Sequence, residues 1–466
     1  MGTLTSMMDM ARQALQADQA ALSATANNVA NQNTAGYTRE VVSWQSDAVT
    51  LSGGSYAGGV STTAISQRDR VLEQRLQQQT QVQAQSGTLE SALQQVQSIF
   101  GLTSTATSAV TTTLGAAINS FFSALSSLTS SPSDASVRQN VLAAANNLVS
   151  AFNSASNQLT QVTSSLDQQV GSVVGQVNTL TATIASLNQQ IASTSPDKDA
   201  GVLEDQRQLA ITQLSQYIGL DQISTEGNGI TLTTSNGSVL VSGNQSYALQ
   251  TSKIAGTTHV IAGASGQDLT AGITGGQLGG AIQARDQAIP TFSTALDSLA
   301  YAIGTQINQQ NALGIDGNGN AGQMLFNLSA TSASAAGSIQ VSTTDPQAVA
   351  AASSGEGSAG NSNALALAGL ATANVVGGQT VSGFFAALLG QIGNTTAGAT
   401  TDNTAQQATL SQLTSQRNSL SGVSLDEEAG NLTQYQRSYE AAAKVFSIVD
   451  ALMASALNLG VPTSVS

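Results

Sequence analysis

The sequence predicts a mainly α-helical protein with one β insertion, an α+β fold built from three parts. Apolar residues recur every seven positions near both ends of the 466-residue chain, which is typical of helices that pack side by side. Between those ends the apolar spacing is helical, except in one segment where it alternates. We predict a coiled-coil assembly domain of terminal helices (1–40 and 422–466), a helical-bundle middle domain (41–219 and 276–421) and a small antiparallel β domain (220–275).

The helix predicted at 424–459 has the clearest heptad pattern. Its seam is formed by Leu432, Tyr435, Tyr439, Phe446, Val449 and Met453. These residues occupy a and d positions over several heptads, the pattern of a helix that buries one stripe against a partner helix. Three acidic residues, 426–428, stand at its first turn, where the helix dipole favours negative charge.

The helix predicted at 6–31 carries a matching stripe at the other end of the chain, formed by Met8, Leu15, Leu22 and Val29. Asp18 interrupts the companion row of this stripe. Neither terminal helix has a partner nearby in sequence. Two interpretations remain open, an antiparallel pair that closes a monomer and a self-assembly domain in which the termini of many subunits pack together.

The middle of the chain is predicted to be helical on both sides of the insertion. Helices are expected at 67–100, 108–129, 133–193, 200–218, from about 280 onward, 362–373, 381–392 and 403–421. The segment 133–193 is long for one globular helix, so a bent helix and two helices end to end both fit.

Hairpin signals define the β insertion. Ile230 and Leu232 alternate with polar residues, and Asn236-Gly237 then forms the dipeptide most typical of a two-residue hairpin turn. Further turns at 243–244 and 256 separate the following apolar pairs. We therefore predict an antiparallel sheet inserted into the helical body.

Composition and residue types argue against several functions. The formal charge of −14 argues against nucleic acid and anionic membranes as partners. There is no continuous run of about 18 apolar residues, and no basic region followed by an apolar core at the start, so we expect neither a membrane span nor a cleaved signal peptide. The chain has no cysteine, and its one histidine, His259, stands in a predicted strand without a cluster of carboxylates nearby in sequence. We predict no catalytic residue, cofactor or metal site, and a protein that is not an enzyme.

Three stretches resemble a known family of flagellar proteins. The segment after the first helix is similar to the signature of flagellar rod and hook proteins, carried here by Asn27, Asn28, Ala30, Asn31, Thr34, Gly36 and Tyr37. The C-terminal stretch 421–444, with its Asp-Glu-Glu and Gln-Tyr-Gln runs, resembles the hook-filament junction proteins, a family of hook-associated proteins. The stretch 279–300 is similar to the same family.

The resemblance implies a structural protein of the bacterial flagellum that forms the junction between hook and filament by self-assembly of its terminal helices. It implies four partners: copies of itself in a ring, the hook protein, a second junction protein on the filament side, and a flagellar export chaperone at the C-terminal helix. It also implies type III export without a cleaved signal peptide and an extracellular location. The alternative within the class is another axial protein, of the hook or distal rod. An enzyme carried in the central domains and an adhesin are rivals from other classes.

Overall fold

The computed structural model describes residues 2–46, 50–52, 55–57, 60–102, 113–194, 200–224, 228–357 and 359–458. Within these ranges the chain is mainly helical and carries several small antiparallel sheets, which confirms the predicted α+β class. The helices are α1 Gly2–Asn31, α2 Arg70–Ile99, α3 Thr113–Ser130, α4 Ala135–Thr194, α5 Val202–Tyr217, α6 Gly276–Gln283, α7 Ile289–Ala312, α8 Ala335–Ser338, α9 Ser362–Gly369, α10 Val381–Ser421 and α11 Leu425–Asn458.

The strands fall into three regions of the chain. They are β1 Glu40–Ser46, β2 Thr50–Ser52, β3 Ser55–Ala57, β4 Val60–Ser66, β5 Leu220–Ser224, β6 Ile230–Thr234, β7 Val239–Ser242, β8 Gln245–Ser246, β9 Leu249–Ile254, β10 Thr257–Ala262, β11 Gly314–Ile315, β12 Phe326–Asn327, β13 Gln340–Val341 and β14 Ala352–Ser353. Strands β5 to β8 form a four-stranded sheet, and the other strands form two-stranded pairs.

Long helices form the body of the protein. The 60-residue α4 is one continuous helix, which excludes two separate helices end to end over 133–193. The prediction of separate helices at 381–392 and 403–421 was wrong, because α10 runs unbroken through both. Helices α2 and α10 pack antiparallel, as shown by hydrogen bonds of Gln79 to Gln406 (2.7 Å) and of Gln83 to Asn403 (3.3 Å).

Side-chain caps fix where helices α2 and α10 begin. The carboxylate of Asp69 accepts hydrogen bonds from the backbone amides of Val71 (3.0 Å) and Leu72 (3.1 Å) at the start of α2. The hydroxyl of Thr380 accepts from the amide of Gly383 (3.1 Å) at the start of α10. Each cap satisfies amides that have no partner inside the helix, so the helix ends are set locally by these polar residues.

Helix α6 packs closely against α2 because of a glycine. A side-chain carbon added at Gly280 would lie 2.5 Å from the carbonyl oxygen of Gln85, a distance that excludes any larger residue. A π-helical turn at Ala284–Ala288 then joins α6 to α7. This turn places the guanidinium of Arg285 on Asp167 of α4 (3.0 Å) and on the carbonyl of Thr258 in β10 (2.8 Å).

The strands of the insertion pack on α4. Asn188 donates to the carbonyls of Ile230 (3.0 Å) and Gly243 (2.8 Å), and Asn178 exchanges two hydrogen bonds of 2.8 Å with the backbone of Leu249. The apolar residues of β6, β7 and β10 belong to the same core as those of α4 and α7. The insertion therefore shares one continuous hydrophobic core with the helical body.

A β ribbon lies against the terminal helices. Strand β1 pairs with β4 in register from Glu40 with Ser66 to Ser46 with Val60. Val42 forms a small second core with Ala21 and Ala24 of α1, separate from the main one. The predicted division assigns this ribbon to the middle domain, although it packs on α1; the domain boundaries themselves stay a prediction.

Candidate assembly interface

The two terminal helices pack on each other as an antiparallel pair. The side chain of Asn28, near the end of α1, lies 3.2 Å from the carboxylate of Glu428 at the start of α11. Ten residues further into each helix, Asp18 of α1 is hydrogen-bonded to Ser438 of α11. The chain therefore brings together two segments that are about four hundred residues apart in sequence.

Small and polar residues form the buried face of α1. Its buried members are Ala11, Ala17, Asp18, Ala21, Ala24, Thr25 and Asn28. Small side chains allow α11 to approach the α1 backbone closely, and little apolar area is buried as a result. The predicted stripe of larger residues flanks this face: Met8, Leu15 and Leu22 are half-buried, and Val29 is 43% exposed.

On α11, the predicted seam residues differ in burial. Val449 is the most buried, with 5% exposure, and Tyr439 is exposed at 37%. The other four, Leu432, Tyr435, Phe446 and Met453, are half-buried. Tyr435 also meets Trp44 of the ribbon, with 6.3 Å between ring centroids. The assignment of these ten terminal residues to an assembly interface stays a prediction.

A second apolar stripe on α11 lies beside the seam and is open to solvent. It consists of Ala441, Val445, Ile448 and Leu452, spaced three or four residues apart on one helix face. The three large members are 51%, 60% and 51% exposed. Val449, which lies between Ile448 and Leu452 in sequence, is buried. The stripe is exposed because α1 covers only the side of α11 that carries the seam.

Asp18 is a charged group inside the helix pair. Its residue is 3% exposed, and burial raises the pKa of its carboxyl, while the hydrogen bond from Ser438 opposes that rise. The sequence marked Asp18 as a break in the stripe; in the structure it lies within the contact.

Asn28 is the centre of a hydrogen-bond network where the helix pair meets the rest of the chain. Its amide nitrogen donates to the carbonyl of Glu40 (2.9 Å) and to Glu428 (3.2 Å). Its amide oxygen accepts from the hydroxyl of Tyr37 (2.9 Å) and from the amide of Glu40 (2.9 Å). Burial raises the pKa of the Tyr37 hydroxyl, so this group stays a donor. We call residues 32–39, together with Asn28, the joint.

An ion pair fixes α11 to the joint. Arg39 binds Glu428 through Nε (2.7 Å) and Glu427 through Nη1 (2.7 Å). The side chain of Glu428 is 1% exposed; its charge is paired with Arg39 and is also solvated by the hydrogen bond from Asn28. Glu428, predicted from the sequence as one of three first-turn charges, is therefore a buried partner of the joint.

Two further charged residues hold the joint on the helical body. Arg417 of α10 donates to the carbonyls of Gly36 (3.2 Å) and Tyr37 (3.1 Å) and pairs with Glu73 of α2 (3.1 Å). Asp205 of α5 accepts from the backbone amide of Thr38 (2.8 Å).

Arg68 holds Asp205 in its contact with the Thr38 amide. It binds Asp205 (2.7 Å) and also forms an ion pair with Glu204. Helices α5, α10 and α11 thus all contact the eight-residue segment that follows α1, and Glu73 of α2 supports Arg417 from behind.

The signature residues divide into those that build the joint and those that face outward. Asn31 accepts a hydrogen bond from the Thr34 hydroxyl (3.2 Å), which closes the turn after α1. Gly36 has φ +81°, a conformation that favours glycine, and a side-chain carbon there would lie 3.2 Å from Leu209. Asn27 and Ala30 have exposed side chains.

The residues that the sequence did not single out for the joint are Arg39, Arg68, Glu73, Asp205, Arg417 and Glu428. Their partners lie far away in sequence, 167 residues for Thr38 with Asp205 and 389 for Arg39 with Glu428. The one signal available was that few charged residues occur in this chain, 9% of the total, so each charge is a candidate for a specific contact.

The described part of the chain offers no metal centre. His259 does have a carboxylate partner, since its Nδ1 lies 2.6 Å from Asp268, a pair that is not predicted from the sequence. Among the described residues no group of three or more His, Cys, Asp or Glu side chains is placed to hold a metal ion. None of the helices described is both long enough and apolar enough to cross a membrane.

Comparison with protein families first identifies the class. Residues 8–38 match the family model of the flagella basal body rod protein, and residues 414–459 match that of the flagellar basal body rod FlgEFG protein C-terminal. These two segments hold most of the terminal helix pair and the joint. The chain is thus a flagellar structural protein with rod-type ends, a class of proteins that are not enzymes.

The middle of the chain identifies the family. Residues 93–326, half of the chain, match the model of the flagellar hook-associated protein FlgK helical domain. The chain belongs to the FlgK family of flagellar hook-associated proteins, which confirms the resemblance found in the sequence, and its place is the flagellum.

Individual relatives agree with this family. Flagellar hook-associated protein 1 of Escherichia coli K12 is 27% identical over 557 aligned positions, covering 98% of this chain and all of that protein. The Bacillus subtilis protein of that name is 29% identical, covering 97% of each chain. The Salmonella typhimurium protein is 43% identical over 95 residues, which span 20% of this chain and only 17% of that protein.

One solved structure has a similar fold. The flagellar hook junction protein FlgK from Burkholderia pseudomallei superimposes with a TM-score of 0.68 at 20% identity. The match covers 74% of this chain and all of that one. At this identity the likeness concerns the fold alone.

Proposed function

We propose that this flagellar protein forms the junction between hook and filament, by self-assembly through its terminal helices. The observation that supports this function best is the open stripe on α11, where Val445, Ile448 and Leu452 are each at least half exposed. An apolar stripe of this kind beside an occupied seam is typical of a helix with two partners. The first partner is α1 of the same chain, and the second is a helix of a neighbouring copy.

The proposed partners follow from the family. Copies of this chain form a ring, the hook protein lies on one side and a second junction protein lies on the filament side. Before assembly, a flagellar export chaperone covers α11, because an exposed apolar stripe in the cell would otherwise promote premature association. The protein is exported through the flagellar type III route without a cleaved signal peptide, and it acts outside the cell.

The predicted seam residues divide between two roles in this proposal. Val449, the most buried of them, belongs to the contact with α1. Tyr439 and Val29, which are 37% and 43% exposed, extend the surface available to the neighbouring copy. The rod-like alternative, a hook or distal rod protein, has rod-type ends too, but the FlgK match over residues 93–326 favours the junction.

A charge placed on the open stripe tests the proposal. We expect Ile448→Asp to leave the protein folded, since the side chain is 60% exposed, but to abolish its incorporation into flagella. The matched control is Ser447→Asp, the adjacent exposed residue, which introduces the same charge on a different face of α11.

The readouts are electron microscopy of isolated hooks and motility of cells that produce each variant in place of the native protein. Hooks without filaments for Ile448→Asp and normal filaments for Ser447→Asp support the function. Motile cells with normal filaments in both strains would contradict it.

A further inference from the structure

A small cavity lies beside the joint, between the start of α2, α5 and the first strands of the insertion. Its volume is about 150 Å³, and three arginines, Arg68, Arg70 and Arg207, line it together with Glu73 and Glu204. The polar residues that complete the wall are Gln74, Gln208, Gln222 and Asn228. Most of this lining can donate hydrogen bonds.

Arg207 is a buried cation whose hydrogen-bond partners carry no charge. It is 5% exposed, and its guanidinium donates to the side-chain oxygen of Asn188 (2.9 Å) and to the carbonyl of Asn228 (2.6 Å). Burial lowers the pKa of Arg207 to about 10, and the charges of Arg68 and Arg70 act in the same direction, although Glu204 opposes them. Buried charges in proteins are usually paired with an opposite charge, so a guanidinium whose own hydrogen-bond partners are neutral is well suited to bind an anion.

Gln208 brings another donor to the cavity, one that is unpaired among the described residues. The side-chain nitrogen of Gln208 is buried, and it makes no hydrogen bond with any residue that the structure describes. Buried donors in native proteins are almost always paired with protein or with a bound group. Gln208 follows Arg207 on α5 and lines the same cavity.

The acidic residues of the cavity are already paired. Glu204 forms an ion pair with Arg68, and Glu73 is 3.1 Å from Arg417. The lining carries three positive and two negative side chains, in a protein whose formal charge is −14 with only 13 Lys and Arg residues. The cavity is thus a local concentration of positive charge on an acidic molecule.

We propose that this cavity binds a small inorganic oxyanion of the phosphate or sulfate type, with Arg207, Arg70 and the side-chain amide of Gln208 as its donors. Its size supports an ion over an organic ligand, since pockets for drug-sized molecules have about 300–1,000 Å³. Three donors of this kind match a tetrahedral anion, whose oxygens accept several hydrogen bonds at once.

The position of the cavity gives the bound anion a role in the joint. Arg68, in its wall, holds Asp205 on the amide of Thr38, and Glu73 holds Arg417 on the carbonyls of residues 36 and 37. An anion that fixes the arginines of the cavity therefore also fixes the contacts that orient the terminal helices on the body. This role is independent of the junction function.

Phosphate binding to the purified full-length chain tests the site. Phosphorus NMR linewidths and isothermal titration, with inorganic phosphate in chloride buffer at constant ionic strength, measure the affinity and the number of ions per chain. We expect saturable binding of one ion, with affinity reduced at least fivefold in Arg70→Gln and in Gln208→Leu. Arg70 is exposed, so its replacement leaves the fold intact.

Arg75→Gln is the matched control, because Arg75 is an exposed arginine of the same helix outside the cavity. Unchanged affinity in this variant, together with loss in the other two, supports the site. Absence of saturable binding in the native chain, or equal loss in Arg75→Gln, would overturn the proposal.

Discussion

Asn28 illustrates how one residue determines the geometry of the joint. A side-chain amide offers two donors and two acceptor positions, and Asn28 uses all four on Tyr37, Glu40 and Glu428. Aspartate at this position would lack the donors, and a shorter side chain would leave the Tyr37 hydroxyl and the Glu40 backbone without partners. The preference for asparagine in the signature thus has a physical cause in this chain.

Replacing Asn28 by alanine is expected to loosen the terminal helices without unfolding the body. Each buried polar group left without a partner costs about 1–3 kcal/mol, so we expect the terminal helices to lose about 2 kcal/mol or more of stability. Trp44 is the one tryptophan of the chain and packs on Tyr435, so its fluorescence in a urea titration reports on this region.

Asn27→Ala is the control, because this neighbouring signature residue has an exposed side chain. Its effect is expected to stay within about 0.5 kcal/mol. Equal midpoints for the two variants would show that the Asn28 network contributes nothing to the joint.

The sequence identified some residues of the joint and could not identify others. Asn28, Gly36 and Tyr37 belong to a short local motif, so they could be recognised through its resemblance to the flagellar rod and hook signature. Glu428, the partner of Asn28, and Asp205, the partner of the Thr38 amide, come from other helices, and the sequence separations of 400 and 167 residues carry no periodic signal. Only folding brings these groups together, and so the ion pairs of the joint were not predicted.

At the scale of helices, tertiary packing decides where an element ends. The stretch between 393 and 402 is rich in Gly and Thr, residues of low helix propensity. In the structure Ile392, Thr396, Ala399 and Asn403 are buried along one face of α10, much of which packs on α2. Burial of this face stabilises the helix through a segment whose own propensity is low.

The terminal helix pair should be more stable at mildly acidic pH because of Asp18. Burial raises its pKa in the folded pair above the value of about 3.9 expected for an unfolded chain. The folded pair therefore binds more protons than the separated helices, and its stability falls as the pH rises from about 3.9 through the folded pKa. At pH values above the folded pKa, Asp18 is ionised in the folded pair, which then carries the full cost of a buried charge.

Replacing Asp18 by asparagine removes this cost. At neutral pH we expect Asp18→Asn to stabilise the pair by about 1 kcal/mol, since a buried neutral amide costs less than a buried charge. Urea titrations followed by Trp44 fluorescence between pH 4 and 7 measure the effect. If the native protein and the variant have the same pH dependence, Asp18 is charged without penalty and the interpretation is wrong.

At the scale of the molecule, two cores of different size stabilise the chain. The main core joins helices α2 to α10 with the insertion, whereas the core at the termini consists of Ala21, Ala24 and Val42 with Tyr435 packed against it. Hydrophobic stabilisation grows with buried apolar area at about 25 cal/mol per Å². The terminal pair therefore gains far less from burial than the body does.

This difference predicts two separate unfolding transitions. The terminal helices should open first, which leaves α11 free to exchange α1 for helices of neighbouring copies during assembly. In a urea titration we expect the Trp44 fluorescence change to precede the main loss of helical circular dichroism, and amide exchange in α1 and α11 to be faster than in α4. Coincident transitions and equal protection would mean that the termini and the body form one cooperative unit, and assembly would then require a trigger other than local opening.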